Sequence, residues 1–238
     1  DHAHFQADMD IIAGGAADKL CHIMIPKVES VDDVIFAETA LKRATNKHVP
    51  LHVLIESAAA VHQAFEIAAH PAVQSISFGL MDFVSAHGGA IPASAMTAQG
   101  QFEHPLVVRA KLEIAAACHA HGKVPSHCVV TEFKNPDVLQ ACVQKAGREL
   151  GYTRMWSIHP DQIRPILRAF APAADEVNDA AQILTAAAVQ NWGPISFGGV
   201  LHDRASYRYY WQLLERAHQT GQSLPVEVQP WFAPEFTH

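Results

Sequence analysis

Five short apolar runs in this chain end on, or contain, residues that can do chemistry. His22-Ile23-Met24-Ile25 is followed by Pro26-Lys27-Val28-Glu29, Leu51 to Ile55 leads into Glu56-Ser57, and Val73 to Phe78 leads into Gly79-Leu80-Met81-Asp82. A fourth run, Val124 to Phe133, contains Ser126-His127 and Thr131-Glu132, and a fifth, Met155 to Ile158, ends at His159-Pro160. If these runs are parallel strands, their C-terminal ends share one rim, where α/β proteins place their ligands. A cation, two carboxylates and an imidazole would then converge. Two carboxylates on neighbouring strand ends either move protons or hold a divalent cation. With no covalent nucleophile in obvious reach, the cation is favoured. Mg²⁺ fits, because it takes one or two protein carboxylates and leaves its other positions to water and a chelating substrate.

Blander roles compete with each of these. A strand-end acid commonly caps the next helix. That reading is weaker for Glu56, whose charge follows five apolar residues and is costly to bury unused. It is weaker for Asp82 as well, since Gly79 lets a ligand or another backbone come close. Gly79, Leu80 and Met81 are therefore expected to border the substrate. Lys27 is either an electrostatic clamp for a carboxylate or thioester, or a solvated lysine. His159, beside Pro160 and a following helix, is expected to close the last strand or border the site.

Cys118, His119, His121, His127 and Cys128 match no closed zinc pattern, and helical geometry splays His119 from His121. Gly88-Gly89-Ala90 lacks the rest of a phosphate loop and reads as a lid bordering the site. Arg204, Arg208, Tyr207, Tyr209, Tyr210 and Trp211 read as helix packing before they read as a cofactor or subunit contact.

The elements that must position these groups follow from periodicity. Between the runs, Val31 to Lys47, Ala58 to Ala69, Val107 to His121 and Asp137 to Leu150 carry helix formers with apolar residues three and four apart. Strands alternating with helices predict a parallel sheet built from βαβ units. Asp32-Asp33 and Asn135-Pro136-Asp137 mark helix starts, and Gly122 and Gly151 mark helix stops. Beyond Pro160 the pattern turns helical: about Asp161 to Phe170, then an Ala-rich helix to about Gln190, a glycine-containing connection through Gly193, Gly198 and Gly199, and a last helix from Ala205 to Thr220. The Pro-rich tail (Pro225, Pro230, Pro234) is expected to pack through Trp231, Phe232 and Phe236. The predicted division is 1–170 and 171–238.

The 238 residues, 49% hydrophobic and 17% charged, exclude a disordered or fibrous chain, and no apolar run is long enough for a membrane span. A net charge of −7 with scattered basic residues argues against a nucleic-acid surface. Four cysteines without a paired spacing point to a reducing, cytoplasmic setting, and sixteen histidines are a surplus in which position alone singles one out. The chain opens on Asp1-His2 without a visible targeting segment.

Taken together, Ile23-Met24-Ile25-Pro26-Lys27-Val28-Glu29-Ser30, Leu54-Ile55-Glu56-Ser57, Ser77-Phe78-Gly79-Leu80-Met81-Asp82-Phe83, and Leu150-Gly151-Tyr152 with Ser157-Ile158-His159-Pro160-Asp161-Gln162-Ile163 resemble, in order and spacing, the HpcH/HpaI aldolase and citrate lyase β-subunit superfamily. Ala173 to Leu184 and Phe197-Gly198-Gly199-Val200-Leu201-His202-Asp203 look like the citrate lyase β-like branch. The resemblance implies a TIM (β/α)8 barrel with a C-terminal helical extension. It implies a Mg²⁺-dependent lyase that cleaves or forms a carbon–carbon bond in 3-hydroxy-acyl thioesters such as citryl-, malyl- or citramalyl-CoA, with a 2-oxo acid and acyl-CoA or an acyl carrier as partners. Glu56 and Asp82 fall on the family's metal-binding acids. Asp203 falls on the acid that handles the enolate proton, supplied by a neighbouring subunit of a homotrimer or hexamer.

Departures accompany the match. Glu-Thr-Ala-Arg-Gly of many relatives reads Glu56-Ser57-Ala58-Ala59-Ala60, and a familiar Gly-Lys reads Thr153-Arg154. Nothing before Cys21 reads as the family's first strands or its carboxylate-binding Arg. Five strands do not close an eight-stranded barrel, so the chain is expected to lack the first strands, as a portion of a longer protein or a member completed by a partner. The alternatives are a CoA-independent class II aldolase releasing pyruvate from a hydroxy-oxo acid, and a silent subunit that keeps the fold for assembly.

Overall fold

In a computed structural model, residues 3–132 and 134–233 are described. Asp1, His2, Phe133, Pro234 and Phe236, which entered the sequence reading, lie outside them. The chain divides into two compact units, Asp1–Ile166 and Leu167–His238.

The first unit holds β1 (Ile23–Ile25), β2 (Leu51–Ile55), β3 (Val73–Phe78), β4 (Val124–His127) and β5 (Arg154–Met155), hydrogen-bonded in the order β1-β2-β3-β4-β5. Every neighbouring pair is parallel. Chain order equals spatial order, so the sheet winds one way without a reversal, the order of a (β/α) barrel and unlike a doubly wound sheet. Helices return the chain between strands: α2 (Val31–Ala44) after β1, α3 (Ala58–His62) and α4 (Ala64–Ala69) after β2, α5 (Leu80–Ser85) and α6 (Pro105–Ala120) after β3, and α7 (Pro136–Leu150) after β4. Ahead of β1 stands α1 (Phe5–Ala16), for which the sequence reading had no element. It lies on α2 through Phe5, whose ring centroid is 5.1 Å from that of Phe36.

The two faces of the sheet differ because side chains alternate along a strand. Leu51, Val53 and Ile55 of β2 and Val73, Ile76 and Phe78 of β3 share one apolar core with Val34, Ala37, Val107, Ala110 and Ile114 from the helices. The opposite face carries His52, whose Nδ1 and Nε2 each lie 2.8 Å from a serine hydroxyl, Ser75 and Ser77 respectively. Arg154 Nη1 donates to Ser75 Oγ at 3.2 Å. Burial, with a smaller push from His22 and Arg154, holds the His52 imidazole down to about 4. It is a neutral histidine whose polar atoms are satisfied.

Boundaries follow local chemistry. Asp33 Oδ2 accepts the N–H groups of Glu29 and Ser30 at the start of α2. Asn135 accepts from Val138 N to open α7 with Pro136 in its first turn, and Gly151, at φ 75°, ends it. Three expectations need correction. The fourth run ends as a strand at His127, because its partner β5 offers only two residues. The fifth stops at Met155, because Ile158 N–H is taken by Gln162 Oε1 at 2.9 Å. The span 58–69 is two helices meeting at Gln63.

In the second unit, α9 (Ala174–Val189) and α10 (Arg204–Gln219) flank an antiparallel hairpin of β6 (Ile195–Phe197) and β7 (Val200–His202). The division along the chain falls within α8 (Ile163–Phe170). The sequence reading has a connection where the hairpin lies: its strands are three residues each, and Gly198 and Gly199, both at positive φ, make its two-residue turn. Val177, Ile183, Leu184, Tyr207, Leu214 and Ala217 form the unit's own core. Trp211 stacks on Trp231 and Phe232 of the tail at 5.9 and 5.1 Å. Among the described residues, no helix is long and apolar enough to cross a membrane.

Candidate metal and substrate site

The ends of β1, β2 and β3 are stitched together by main-chain bonds: Val28 N–H to Leu54 O at 3.3 Å and Gly79 N–H to Ile55 O at 2.8 Å. Glu56 follows β2 and lies between these two flanking segments. It is 8% exposed. Its Oε2 accepts the Lys27 N–H at 3.1 Å. For that donor to face inward, Lys27 takes φ 54°, a left-handed conformation that costs a side-chain-bearing residue energy and recurs at functional sites.

Gly79 makes the other wall. A Cβ built there would stand 2.5 Å from Glu56 Cγ and 2.7 Å from Oε1, so a glycine is needed for the carboxylate to lie where it does. From Gly79 the chain enters α5, whose Leu80, Phe83 and Val84 are buried in the core. Phe83 packs edge-on against Phe78 at 5.1 Å and tilted against His87 at 4.5 Å. This fixes the face of α5 that turns outward, and Asp82 is on it. The Lys27 ammonium reaches Asp82 Oδ1 at 3.3 Å.

Burial, and next the negative charge of Asp82, raise the Glu56 pKa above the ordinary carboxylate value; the Lys27 N–H and ammonium oppose the rise, and Glu29 adds to it. The largely buried Glu56 carboxylate beside the exposed Asp82 carboxylate is a hard-oxygen donor pair suited to a divalent cation. Open sides of Asp82 leave room for water or a ligand. On this observation the residues fit Mg²⁺. Among the described residues, no group of three or more His, Cys, Asp or Glu side chains is placed to hold a metal.

Of the residues singled out from sequence, Lys27, Glu56, Gly79 and Asp82 come together. Leu80 has its side chain in the core, so only its main chain could face a ligand. Met81 is half-buried. His159 caps its own turn: its Nδ1 accepts Asp161 N–H at 3.2 Å, ahead of the short 3-10 turn Pro160–Gln162. Asp203 belongs to the second unit, where it is exposed and caps α10 by accepting Ala205 N–H at 2.9 Å. The histidines and cysteines considered for zinc are dispersed in separate bonds, His119 Nε2 to Gly151 O at 2.7 Å and His127 Nδ1 to Cys128 O at 3.0 Å.

The sequence reading missed two groups. Ser57 Oγ donates to Glu29 Oε2 at 2.5 Å while accepting Ala60 N–H as the cap of α3, and so fixes the main chain next to Glu56. The signal was a Glu-Ser pair and a Lys-x-Glu at equivalent strand ends. Lys111 is fully buried, with its ammonium 2.8 Å from Gln101 Oε1 and 4.2 Å above the Phe102 ring. The His127 ring stacks on the other partner of this cluster, Phe102, at 5.3 Å. Burial lowers the Lys111 pKa. A lysine inside an Ala-rich helix gave no sign of this.

Comparison with known proteins places the chain. The family model described as HpcH/HpaI aldolase/citrate lyase matches residues 2–160. An L-malyl-CoA/beta-methylmalyl-CoA lyase from Cereibacter sphaeroides is 33% identical over 211 residues, covering 81% of this chain and 66% of the relative. The chain thus spans about two thirds of the length of the curated relatives it matches. The crystal structure of a citrate lyase from Burkholderia xenovorans LB400 superposes with TM-score 0.84 at 48% identity, over 98% of this chain and 74% of that one. A citrate lyase beta subunit from M. tuberculosis, complexed with oxaloacetate and magnesium, gives TM-score 0.53 at 25% identity over 64% and 62% of the two chains. With the family model running through the three strand ends that carry Lys27, Glu56 and Asp82, the chain belongs to the HpcH/HpaI aldolase/citrate lyase family.

Proposed function

We propose that the chain is the Mg²⁺-binding part of a carbon–carbon lyase acting on a 3-hydroxy-acyl-CoA thioester of the malyl-, citramalyl- or citryl-CoA type, releasing a 2-oxo acid and an acyl-CoA. The observation that carries this is the pair Glu56 and Asp82, held at adjacent strand ends by the single residue Lys27. Relatives named for malyl-CoA cleavage, and a structural neighbour described with oxaloacetate and magnesium, support it.

Glu56 and Asp82 would hold the cation, which when bound polarises the oxygen of the 2-oxo acid. Gly79 keeps the space beside Glu56 clear, and the main chain of Leu80 and Met81 borders the ligand. Lys27 supplies positive charge for a carboxylate or carbonyl oxygen. In the cleavage direction the substrate hydroxyl gives up its proton to water as its oxygen forms the new carbonyl, and water returns a proton to Asp203 after each turnover. The carbon–carbon bond breaks and its electrons pass to the thioester enolate. Asp203 of a neighbouring copy, in a homotrimer or hexamer, delivers the proton to the enolate carbon, and takes it in the reverse direction. His159 serves the turn after β5.

The test is to incubate the full chain with malyl-CoA, citramalyl-CoA and citryl-CoA in turn, trapping the released 2-oxo acid as its phenylhydrazone, with and without Mg²⁺. Release that needs both the thioester and Mg²⁺ is expected. Pyruvate release from a hydroxy-oxo acid without CoA would move the assignment to a class II aldolase, and no release from any substrate would leave a non-catalytic subunit.

A further inference from the structure

We infer that Lys27 is a resident counter-cation that must exchange partners: its ammonium neutralises Asp82 while no divalent cation is present, and on cation binding it is released to an anionic substrate group. The inference rests on the reading of Glu56 and Asp82 as the cation-binding pair. Lys27 touches both acids by different means. Its main-chain N–H is bound to Glu56 Oε2 at 3.1 Å and its ammonium to Asp82 Oδ1 at 3.3 Å. The first contact is fixed, because it depends on the left-handed backbone at φ 54° and on the bond of the next residue, Val28, to Leu54 O. The second is free to change. The Lys27 side chain is 72% exposed and the Asp82 carboxylate 53%, so no packing holds the ammonium on its partner.

A flexible stem on a rigid base gives the ammonium a short arc of positions around one carboxylate. A divalent cation on Asp82 would repel the ammonium at that distance and turn it outward. The base of the stem stays bound to the other acid throughout, so the displaced charge remains at the rim of the same site, where an arriving 2-oxo acid presents its carboxylate. Lys27 therefore opposes binding of the cation alone and favours binding of the oxo acid after it. A merely structural lysine would do neither.

Lys27→Gly separates the two contacts, since glycine adopts positive φ freely and keeps the N–H to Glu56 while losing the ammonium. Lys27→Arg keeps the charge. Calorimetric titration of the full chain with Mg²⁺ alone, and then with oxaloacetate or pyruvate at saturating Mg²⁺, reads both halves. For Lys27→Gly the expected result is Mg²⁺ binding about two- to fivefold tighter, the range of an exposed ion pair. Oxo-acid binding should be about tenfold weaker or more, the effect of losing a charge-assisted hydrogen bond. Lys27→Arg should bind Mg²⁺ as the unsubstituted chain does. Affinities that both fall, or neither of which changes, would overturn the exchange while leaving Glu56 and Asp82 as ligands. An unsubstituted chain that binds no Mg²⁺ would overturn the cation site and the exchange with it.

Discussion

The Glu56 side chain leaves no room for a Cβ on residue 79, which would stand 2.5 Å from Glu56 Cγ and 2.7 Å from Oε1. One residue is thus defined by the absence of a side chain and its neighbour by the use of the space. Gly79→Ala should displace Glu56 from its bond to Lys27 N. A loss of about 1–3 kcal/mol in stability is expected by chemical denaturation, the range for forcing a methyl group into an occupied site. Mg²⁺ affinity should fall with it. Unchanged affinity would show that the position of Glu56 is not what binds the ion.

Asp203 carries a cap and, in the proposed mechanism, a proton. The two roles separate by substitution, because asparagine caps a helix as well as aspartate does and alanine does not. Asp203→Asn should keep the melting temperature and lower kcat by about a hundredfold or more. Asp203→Ala should lose about 1 kcal/mol in addition. Full turnover by the Asn variant would remove Asp203 from the chemistry.

The raised pKa of Glu56 has a defined sign. The folded state takes up this proton at a higher pH than the unfolded chain does, so ionised Glu56 works against folding above that range, and the penalty is lifted as pH falls through the folded value. At the proposed cation site protons and the divalent cation would compete for the same oxygens. Mg²⁺ affinity, followed by titration between pH 8 and pH 5, should begin to fall at a higher pH than an ordinary glutamate would dictate. Without Mg²⁺, Glu56→Gln should melt at a higher temperature than the unsubstituted chain at neutral pH, and with Mg²⁺ the order should reverse.

Among the described residues Lys111 is enclosed without a carboxylate contact, held by Gln101 Oε1 and the face of Phe102. Its pKa is lowered by burial, so its charged form is a cost at neutral pH. Lys111→Met keeps the volume and removes the charge, and should unfold at no lower urea concentration than the unsubstituted chain. Lys111→Ala leaves a cavity and should lose about 2–4 kcal/mol. If the two variants lose equally, the ammonium itself, and not the space it fills, stabilises the cluster.

Much of the fold was legible because strand and helix alternate in both periodicity and punctuation. Asn135-Pro136 and Gly151 bracket α7 as their side-chain chemistry requires. What was not legible depends on partners distant in sequence. β4 and β5 are short because each limits the other, and no property of the apolar run Val124 to Phe133 announces that. The hairpin β6-β7 was hidden by strands too short to show alternation. At the site, the charged and special residues at strand ends were readable one by one. The bond from Lys27 N to Glu56, the clash that reserves Gly79, and the support of Ser57 by Glu29 were not, because each is a meeting of two strand ends.

The one-way winding of the sheet has a consequence for how this site comes into being. Lys27, Glu56 and Asp82 follow the C-terminal ends of three successive strands that are also immediate neighbours in space, Asp82 in the first turn of α5, so two consecutive crossovers are enough to bring them together. Their assembly closes short loops of chain and asks nothing of β4, β5 or the second unit. Such low contact order favours early formation. A cation able to bridge Glu56 and Asp82 would therefore find its ligands while much of the chain is still unfolded, and could act as a template for the first half of the sheet as well as a resident of the finished one.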